Sequence, residues 1–426
     1  MKFKKLLKIF FITIFIIFNL LCDKSFAVDL STNNDITLYS ESAILMEATT
    51  GLVLYNKNAN SKMYPASTTK ILTAIIAIEN CNLDDVVTVN YSAISKIPAG
   101  YSSAYLSEGE TITVKELLEV FLVHSANDAG YVLAEHISGS ISEFSNLMNK
   151  KAEEIGCTNS HFLNPSGIHD DDHYTTAEDL GKIAIYCMKN STFRSIVSMK
   201  TCTINPTNKS DARTYTNTND LINPSSKYYI SDCVGIKTGY TSEAKNCLIS
   251  AFSKDNLNLI CVVLGSPAME NGSSSRYIDT TTLYNYGYSN YSKKTIASKG
   301  NVIQTIEIPN ATKETQNLDL VLENDIIGIS NINESNYSYE VNLNNEISAP
   351  IMENSVIGTV TYTSCGAKYT ANLIASHNVN PQISMLGIFK IILILVLTFL
   401  FLMLMLKVKR YKKKRYKRKY KYNRLH

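Results

Sequence analysis

The period of the hydrophobic positions changes several times along the chain, and each change predicts a different element. Apolar-rich runs at residues 42–47 and 52–56 flank Thr49-Thr50-Gly51, a pattern that predicts a β-hairpin. Helical patterns take over at 67–77, 114–124, 128–138, 142–155 and 177–190, with Gly156 placed as a helix cap. Strands return at 233–237, 246–253 and 259–264, and a helix from 273 to about 286 closes the segment. Strands at both ends of a helical middle predict one antiparallel sheet covered by helices, an α/β fold of the α+β type. From about residue 292 the pattern turns to period two. It is tight at 302–308 and looser at 318–322, 337–343, 355–363 and 369–374, with Asn, Gly and Asp between the runs. We therefore expect a catalytic-size domain at 35–290 and a small all-β domain at 294–375. The polar stretch 376–382 links the β domain to an apolar run near the C-terminus.

The two ends carry apolar runs bordered by cations. Lys2, Lys4, Lys5 and Lys8 precede a mostly apolar stretch from Ile9 to Cys22, and Ser25-Phe26-Ala27 puts small residues where a signal peptidase cuts. Residues 1–27 read as a signal peptide cleaved after Ala27, with an uncleaved anchor as the alternative. Leu21 is too bulky to precede a lipoprotein cysteine at Cys22. Near the other end, Ile391 to Leu406 is uncharged and apolar except for Thr398. Extended across Lys390 to Met385, the run matches the ~20 helical residues that cross a bilayer, and Lys390 can snorkel to the interface. Residues 407–424 carry 12 Lys and Arg and no acid. The expectation is a transmembrane helix at 385–406 and a basic cytoplasmic tail at 407–426 that can contact anionic headgroups. A nucleic-acid-binding tail competes poorly, because the tail abuts a membrane span.

Charge then reads differently. The formal net charge of +3 belongs to the two ends; the body between them is acidic and no candidate for binding polyanions such as nucleic acid. Of nine cysteines, Cys22 leaves with the leader. The other eight lack framework spacing and mostly sit in apolar stretches. A chain of this size builds a core without staples, so buried free thiols are expected rather than disulfides.

Candidate chemistry lies in three motifs in one order: Ser67-Thr68-Thr69-Lys70, Ser125-Ala126-Asn127 and Lys237-Thr238-Gly239. A serine nucleophile needs a base, and a lysine three residues on shares its helical face if Ser67 opens a helix. Ser125 and Asn127 can complete a proton path and hold an amide. Lys237 and Thr238 suit a carboxylate, and Gly239 leaves room for a substrate backbone. Each motif alone is weak. Ser242 and Lys245 repeat the first, Ser31–Asn33 and Ser376–Asn378 repeat the second, and only the third is unique. Taken singly, these residues could be an N-cap serine, a surface lysine, a loop cap and a strand end with a turn glycine. Their order argues otherwise, as does the apolar run after Lys70.

On these residues the chain resembles the D-alanyl-D-alanine carboxypeptidases, low-molecular-mass penicillin-binding proteins of the serine-lysine type, over roughly residues 35–375. The flanks agree: Pro65-Ala66 before the first motif, His124 and Asp128-Ala129 around the second, Gly235-Ile236 and Tyr240-Thr241 around the third. His161 to Gly167, then His173 to Ala177, resembles the loop the family carries between motifs two and three. The resemblance implies the penicillin-recognising fold followed by a β-rich spacer domain. It implies Ser67 as nucleophile, Lys70 as base and Ser125 and Asn127 as catalytic partners. Lys237, Thr238, Gly239 and Tyr240 would bind substrate, with the backbone N–H groups of Ser67 and Tyr240 holding the oxyanion. The substrate would be a peptidoglycan stem peptide ending in D-Ala-D-Ala, β-lactams would acylate Ser67, and no cofactor or metal is needed. Some family members carry His where Tyr240 stands, and the family more often ends in an amphipathic surface helix than in a full span. The implied location is outside the cell, anchored to the membrane.

Rival expectations remain. A β-lactamase would need a carboxylate to activate water, and Asn164-Pro165-Ser166-Gly167 lacks a glutamate in that setting. An endopeptidase or transpeptidase on cross-linked strands is chemically close. A non-catalytic wall-binding or β-lactam-sensing protein is the rival outside enzymes. His169 to His173 invites a metal reading, but a solvated acidic loop is expected there. Arg276 and Tyr277 are expected to be structural.

Overall fold

The computed structural model describes residues 36–382 and 385–422. The leader at 1–27 and the Ser31–Asn33 repeat lie outside the described residues. The described chain divides into two compact units. One runs up to Lys294 and includes Ile329–Ser335 and Cys365–Ala367; the other holds Thr295–Gly328, Asn336–Ser364 and Lys368 onward.

The first unit is organised by a five-stranded sheet. Its strands are β1 (Ser42–Glu47), β2 (Val53–Lys57), β3 (Cys233–Thr241), β4 (Lys245–Lys254) and β5 (Leu257–Ser266), in the order β2-β1-β5-β4-β3. The expected hairpin forms, and β1 then docks antiparallel on β5 from Ser42↔Leu264 to Glu47↔Leu259. The central strands are apolar on both faces because both faces are covered. Ile44 and Met46 enter one core while Ala43 and Leu45 enter the other. β3 is longer than the apolar run 233–237 predicts. Its polar half pairs through Lys237↔Ile249, Gly239↔Cys247 and Thr241↔Lys245, so register with an apolar partner extends a strand that its own sequence does not announce. β3 is also the outer strand, with one edge free of a sheet neighbour among the described residues.

Over one face lie α1 (Lys70–Asn80), α2 (Val114–Val123), α3 (Asn127–Ser138), α4 (Ile141–Ile155), α5 (Ala177–Met188) and α6 (Ser191–Val197). α1 is buried from Lys70 through Ala77. Such a helix, apolar all round, belongs inside a protein. The expected helix 177–190 forms and ends at Met188, and Asn190 accepts the Phe193 N–H (3.0 Å) to start a further short helix that the pattern did not predict. Gly156 caps α4 in the left-handed region (φ 93°), as the sequence predicts. The other face is covered by α7 (Ser275–Asn290), whose Tyr277 and Leu283 pack with Leu45, Leu248 and Leu259. Two small two-stranded sheets, Val86–Thr88 with Thr111–Thr113 and Thr201–Ile204 with Arg213–Thr216, were not evident from the pattern.

One correction concerns the segment that carries Ser67. Ser67 does not open an α-helix; it sits in a 3₁₀ turn, Ala66–Thr69, and α1 starts only at Lys70. In a 3₁₀ turn residues i and i+3 eclipse, so the Ser-x-x-Lys spacing stacks the two side chains more directly than an α-helix would.

The second unit contains a five-stranded sheet in the order Val302–Glu307, Asn317–Leu322, Ala367–Ala375, Val356–Ser364, Ser338–Leu343. The alternation read from 318–322 is real: Leu318, Leu320 and Leu322 are buried, and they pack with Val360 and Leu373. The chain's last described element, α8, runs unbroken from Met385 to Tyr422. Its Gly387–Arg415 portion is long and apolar enough to cross a membrane. The basic tail continues the same helix instead of leaving it. Of the eight described cysteines, six are buried free thiols, Cys81 is a half-buried free thiol and Cys365 is half-buried.

Candidate active site

The turn that carries Ser67 is held from outside itself. Ala66 adopts a left-handed backbone (φ 48°). Gly167 packs so closely on it that a Cβ there would lie 1.8 Å from the Ala66 carbonyl oxygen. Gly167 belongs to a loop tied by Asn164, whose Oδ1 accepts the N–H groups of Ser166 (3.2 Å), Gly167 (2.8 Å) and Ile168 (3.1 Å). His173 joins this loop to the turn. Its Nδ1 accepts the Leu163 N–H (3.1 Å), so the proton sits on Nε2, which donates to Thr69 Oγ1 (2.9 Å). Burial pushes this imidazole down to about 4, and it stays neutral. The 169–173 segment thus divides: Asp170, Asp171 and Asp172 are exposed, as a solvated loop requires, while His173 is core.

Lys70 is fully buried and its ammonium is spoken for in three directions. Nζ donates to Ser67 Oγ (2.8 Å), Asn127 Oδ1 (2.8 Å) and the Ser166 carbonyl (2.9 Å). None of the three acceptors is charged. Burial, reinforced by the nearby Lys237 cation, drives the Lys70 pKa well below the usual lysine range, with Asp128 pulling weakly the other way. Asn127 is oriented by its amide nitrogen, which donates to the Ser102 carbonyl (2.8 Å) and leaves Oδ1 facing Lys70. Ser125 stands just before α3 in a left-handed conformation (φ 67°), nearly buried, with its side chain at the same cleft.

The third motif closes the cleft from β3. A Cβ on Gly239 would lie 3.0 Å from the Ser67 nitrogen and 3.1 Å from the Pro65 oxygen and the Thr68 nitrogen. The glycine therefore serves first to let β3 touch the turn that carries Ser67, which differs from the expected role of clearing space for substrate. Thr238 shares a hydrogen bond between hydroxyls with Thr218 (2.6 Å), and Tyr240 is 64% exposed on the rim. Lys237 is 1% exposed and its Nζ donates to the Thr238 carbonyl (2.9 Å). Burial, with Arg276 beside it, lowers its pKa to about 7.

These segments enclose a cleft of about 480 Å³, lined by Ser67, Ser125, Asn127, Thr238, Gly239 and Arg276 among others. Lys70 and Lys237 lie behind its wall; the cation on the lining is Arg276. Its guanidinium reaches the Gly239 carbonyl (3.3 Å) and lies against the Tyr277 ring, while its Nε is buried without a partner. Arg276 is therefore part of the cleft, contrary to the structural role expected for it. One signal was available: it is the only Lys or Arg between Lys254 and Lys293. Tyr277 keeps a structural part, donating to the Thr218 carbonyl and accepting the Asp220 N–H. The duplicate motifs separate cleanly. Lys245 pairs with Glu41 on the surface, and Ser376 bonds His377 in the second unit. Among the described residues no group of three or more His, Cys, Asp or Glu side chains could hold a metal ion.

Comparison with known proteins agrees with this geometry. The family model for D-alanyl-D-alanine carboxypeptidase matches residues 29–268, and that for the penicillin-binding protein 5 C-terminal domain matches residues 291–380. The Bacillus subtilis D-alanyl-D-alanine carboxypeptidase DacF is 31% identical over 79% of this chain and 85% of its own length. Penicillin binding protein 5 from Haemophilus influenzae superposes with a TM-score of 0.63 at 26% identity, covering 81% of this chain and 98% of that one. A Streptomyces DD-transpeptidase superposes with a TM-score of 0.54 at 34% identity, covering 59% of this chain and 98% of its own. A buried lysine bonded to a half-buried serine, an asparagine that accepts from the same lysine and a glycine that brings an edge strand against the Ser67 turn are thus found where the family model matches, and the chain belongs to the D-alanyl-D-alanine carboxypeptidase family.

Proposed function

We propose that this protein is a membrane-anchored serine D-Ala-D-Ala carboxypeptidase that removes the terminal D-alanine from peptidoglycan stem peptides. The observation that carries the reading is the buried Lys70 ammonium, 2.8 Å from Ser67 Oγ with two uncharged acceptors behind it. In the free-base form its two N–H groups still serve Asn127 and Ser166, and its lone pair faces the Ser67 hydroxyl. The Ser67 proton passes to Lys70 as Oγ attacks the penultimate carbonyl. The N–H groups of Ser67 and Tyr240 receive the oxyanion. As the C–N bond breaks, the proton moves from Lys70 through the Ser125 hydroxyl to the departing D-alanine amine. Water then attacks the acyl-enzyme with the same groups in reverse, restoring Ser67 and releasing the trimmed peptide.

The free edge of β3 suits a substrate added as a further strand, read by main-chain hydrogen bonds. Its terminal carboxylate meets the Thr238 hydroxyl and the Arg276 guanidinium, with Lys237 behind them adding positive potential. A β-lactam occupies the same place and leaves Ser67 slowly. Residues 1–27 export the chain, residues 385–406 span the membrane, and the 407–426 tail remains cytoplasmic. The catalytic domain at 35–290 and the β-rich domain at 294–375 then face the wall. The transpeptidase reading has one observation in its favour, the likeness to a Streptomyces DD-transpeptidase; there an amine replaces the deacylating water.

Mass spectrometry of the purified full-length chain after exposure to penicillin, and separately to a pentapeptide ending in D-Ala-D-Ala, tests the proposal. A penicilloyl adduct on Ser67 with loss of one alanine from the peptide is expected. An adduct without trimming, rescued by an added amine acceptor, would replace it with the transpeptidase reading. No adduct at all would sink the assignment.

A further inference from the structure

A second cleft of about 680 Å³ opens beside the active one. Residues 99–102 form a wall common to both. Two of its residues are large and left in water: Tyr91 is 63% exposed and Tyr105 is 80% exposed. Tyr105 also stands in the left-handed region (φ 57°), a conformation that costs a bulky side chain and persists only where its surroundings enforce it. They do. Buried Asp128 accepts the Ser103 hydroxyl (2.6 Å) and the Ala104 (2.9 Å) and Leu106 (3.0 Å) N–H groups. From the other side Arg213 and Tyr215 both donate to the Ala104 carbonyl (3.0 and 2.8 Å). The loop backbone is clamped at its donors and its acceptors, and the outcome is an aromatic side chain presented to water at the second cleft.

We propose that this tyrosine-lined cleft binds the sugar of the glycan strand to which the stem peptide is attached, an inference that rests on the carboxypeptidase reading. The lining chemistry selects a neutral, hydroxyl-rich ligand. Tyrosine offers an apolar face and a polar tip, and Ser95 and Ser102 supply further hydroxyl groups. The ionic parts of a stem peptide would need charged partners, and the only charged side chain on the lining is Asp128, whose oxygens are already engaged. The site thus makes the enzyme prefer stem peptides carried on glycan over free ones.

The test compares release of D-alanine by the full-length protein in detergent micelles from a free pentapeptide and from the same pentapeptide on a disaccharide. Tyr105→Ala should lower kcat/KM for the glycan-linked substrate by roughly threefold to tenfold, the scale of one aromatic contact, and leave the free peptide within about twofold. Tyr105→Phe should keep most of the preference, and penicillin acylation of Tyr105→Ala should proceed at the wild-type rate, showing a folded site. An equal loss on both substrates, or none on either, overturns the sugar site while leaving the carboxypeptidase reading intact. If the unaltered protein trims neither substrate, the carboxypeptidase reading fails and the sugar site falls with it.

Discussion

Gly239→Ala isolates the contact on which the site's assembly depends. A methyl group there would stand 3.0 Å from the Ser67 nitrogen, with the Pro65 oxygen and Thr68 nitrogen at 3.1 Å. Ordinary contacts between heavy atoms fall at about 3.5–4.0 Å, so β3 and the nucleophile turn must part by roughly half an ångström. Both sides of the contact are backbone, and no flexible side chain can yield. The displaced group includes the Ser67 N–H, one of the proposed oxyanion donors. Since a misplacement of about 1 Å costs on the order of 100-fold in rate, we expect acylation by a labelled penicillin to slow about tenfold or more. Overpacking costs about 1–3 kcal/mol, which for a domain of this size lowers Tm by about 3–10 °C. Gly51→Ala is the control. That glycine has φ 75°, but nothing lies within 4 Å of the place its methyl group would take, so the change should lower Tm without slowing acylation. A Gly239→Ala protein that acylates at the wild-type rate would refute the argument. So would a Gly51→Ala protein slowed as much, which would reduce the effect to lost stability.

Arg276→Gln should raise KM for a peptide ending in D-Ala-D-Ala and lower kcat/KM by about 10–100-fold, the scale of a lost charged hydrogen bond; steady-state kinetics against an amidated peptide, which should lose little, checks it. For Lys237, whose pKa falls from 10.5 to about 7 on folding, the unfolded chain binds the extra proton above pH 7. Stability therefore rises with pH from that point. The buried thiols oppose this near the pH where they ionise in the unfolded chain, about 8.5. Those thiols are common to both proteins, so Tm of the wild type relative to Lys237→Met should climb from pH 7 toward about pH 10, and a flat difference would contradict the burial argument. Because Lys70 must be unprotonated to accept the Ser67 proton, acylation should fall as pH drops through its depressed pKa; stopped-flow rates across pH would show it. In native protein a maleimide should modify Cys81 and Cys365 alone among the eight described cysteines, with the six buried ones reacting only after denaturation.

Local patterning was enough for the elements whose burial follows their own periodicity. The 42–57 hairpin, α1 to α5 and the alternating strands of the β-rich unit are legible because each apolar stripe must meet a core. The three motifs are legible because their residue types suit serine-lysine chemistry and their order and flanks resemble those of the family. Other features depended on partners distant in the chain. β3 extends through polar Thr238-Gly239-Tyr240 only because β4 offers it a register. Arg276 joins the cleft because α7 places it under Gly239, and the same fold sends the duplicate Lys245 to the surface against Glu41. The Asn164 loop supplies the third bond to Lys70 through a backbone carbonyl, which any residue possesses and no motif can mark. The sequence determined which side chains could do the chemistry and which stripes had to be buried. Which copy of a motif reaches the cleft, and how far its lysine is desolvated, were decided by the tertiary structure, because both depend on contacts between segments that only folding brings together.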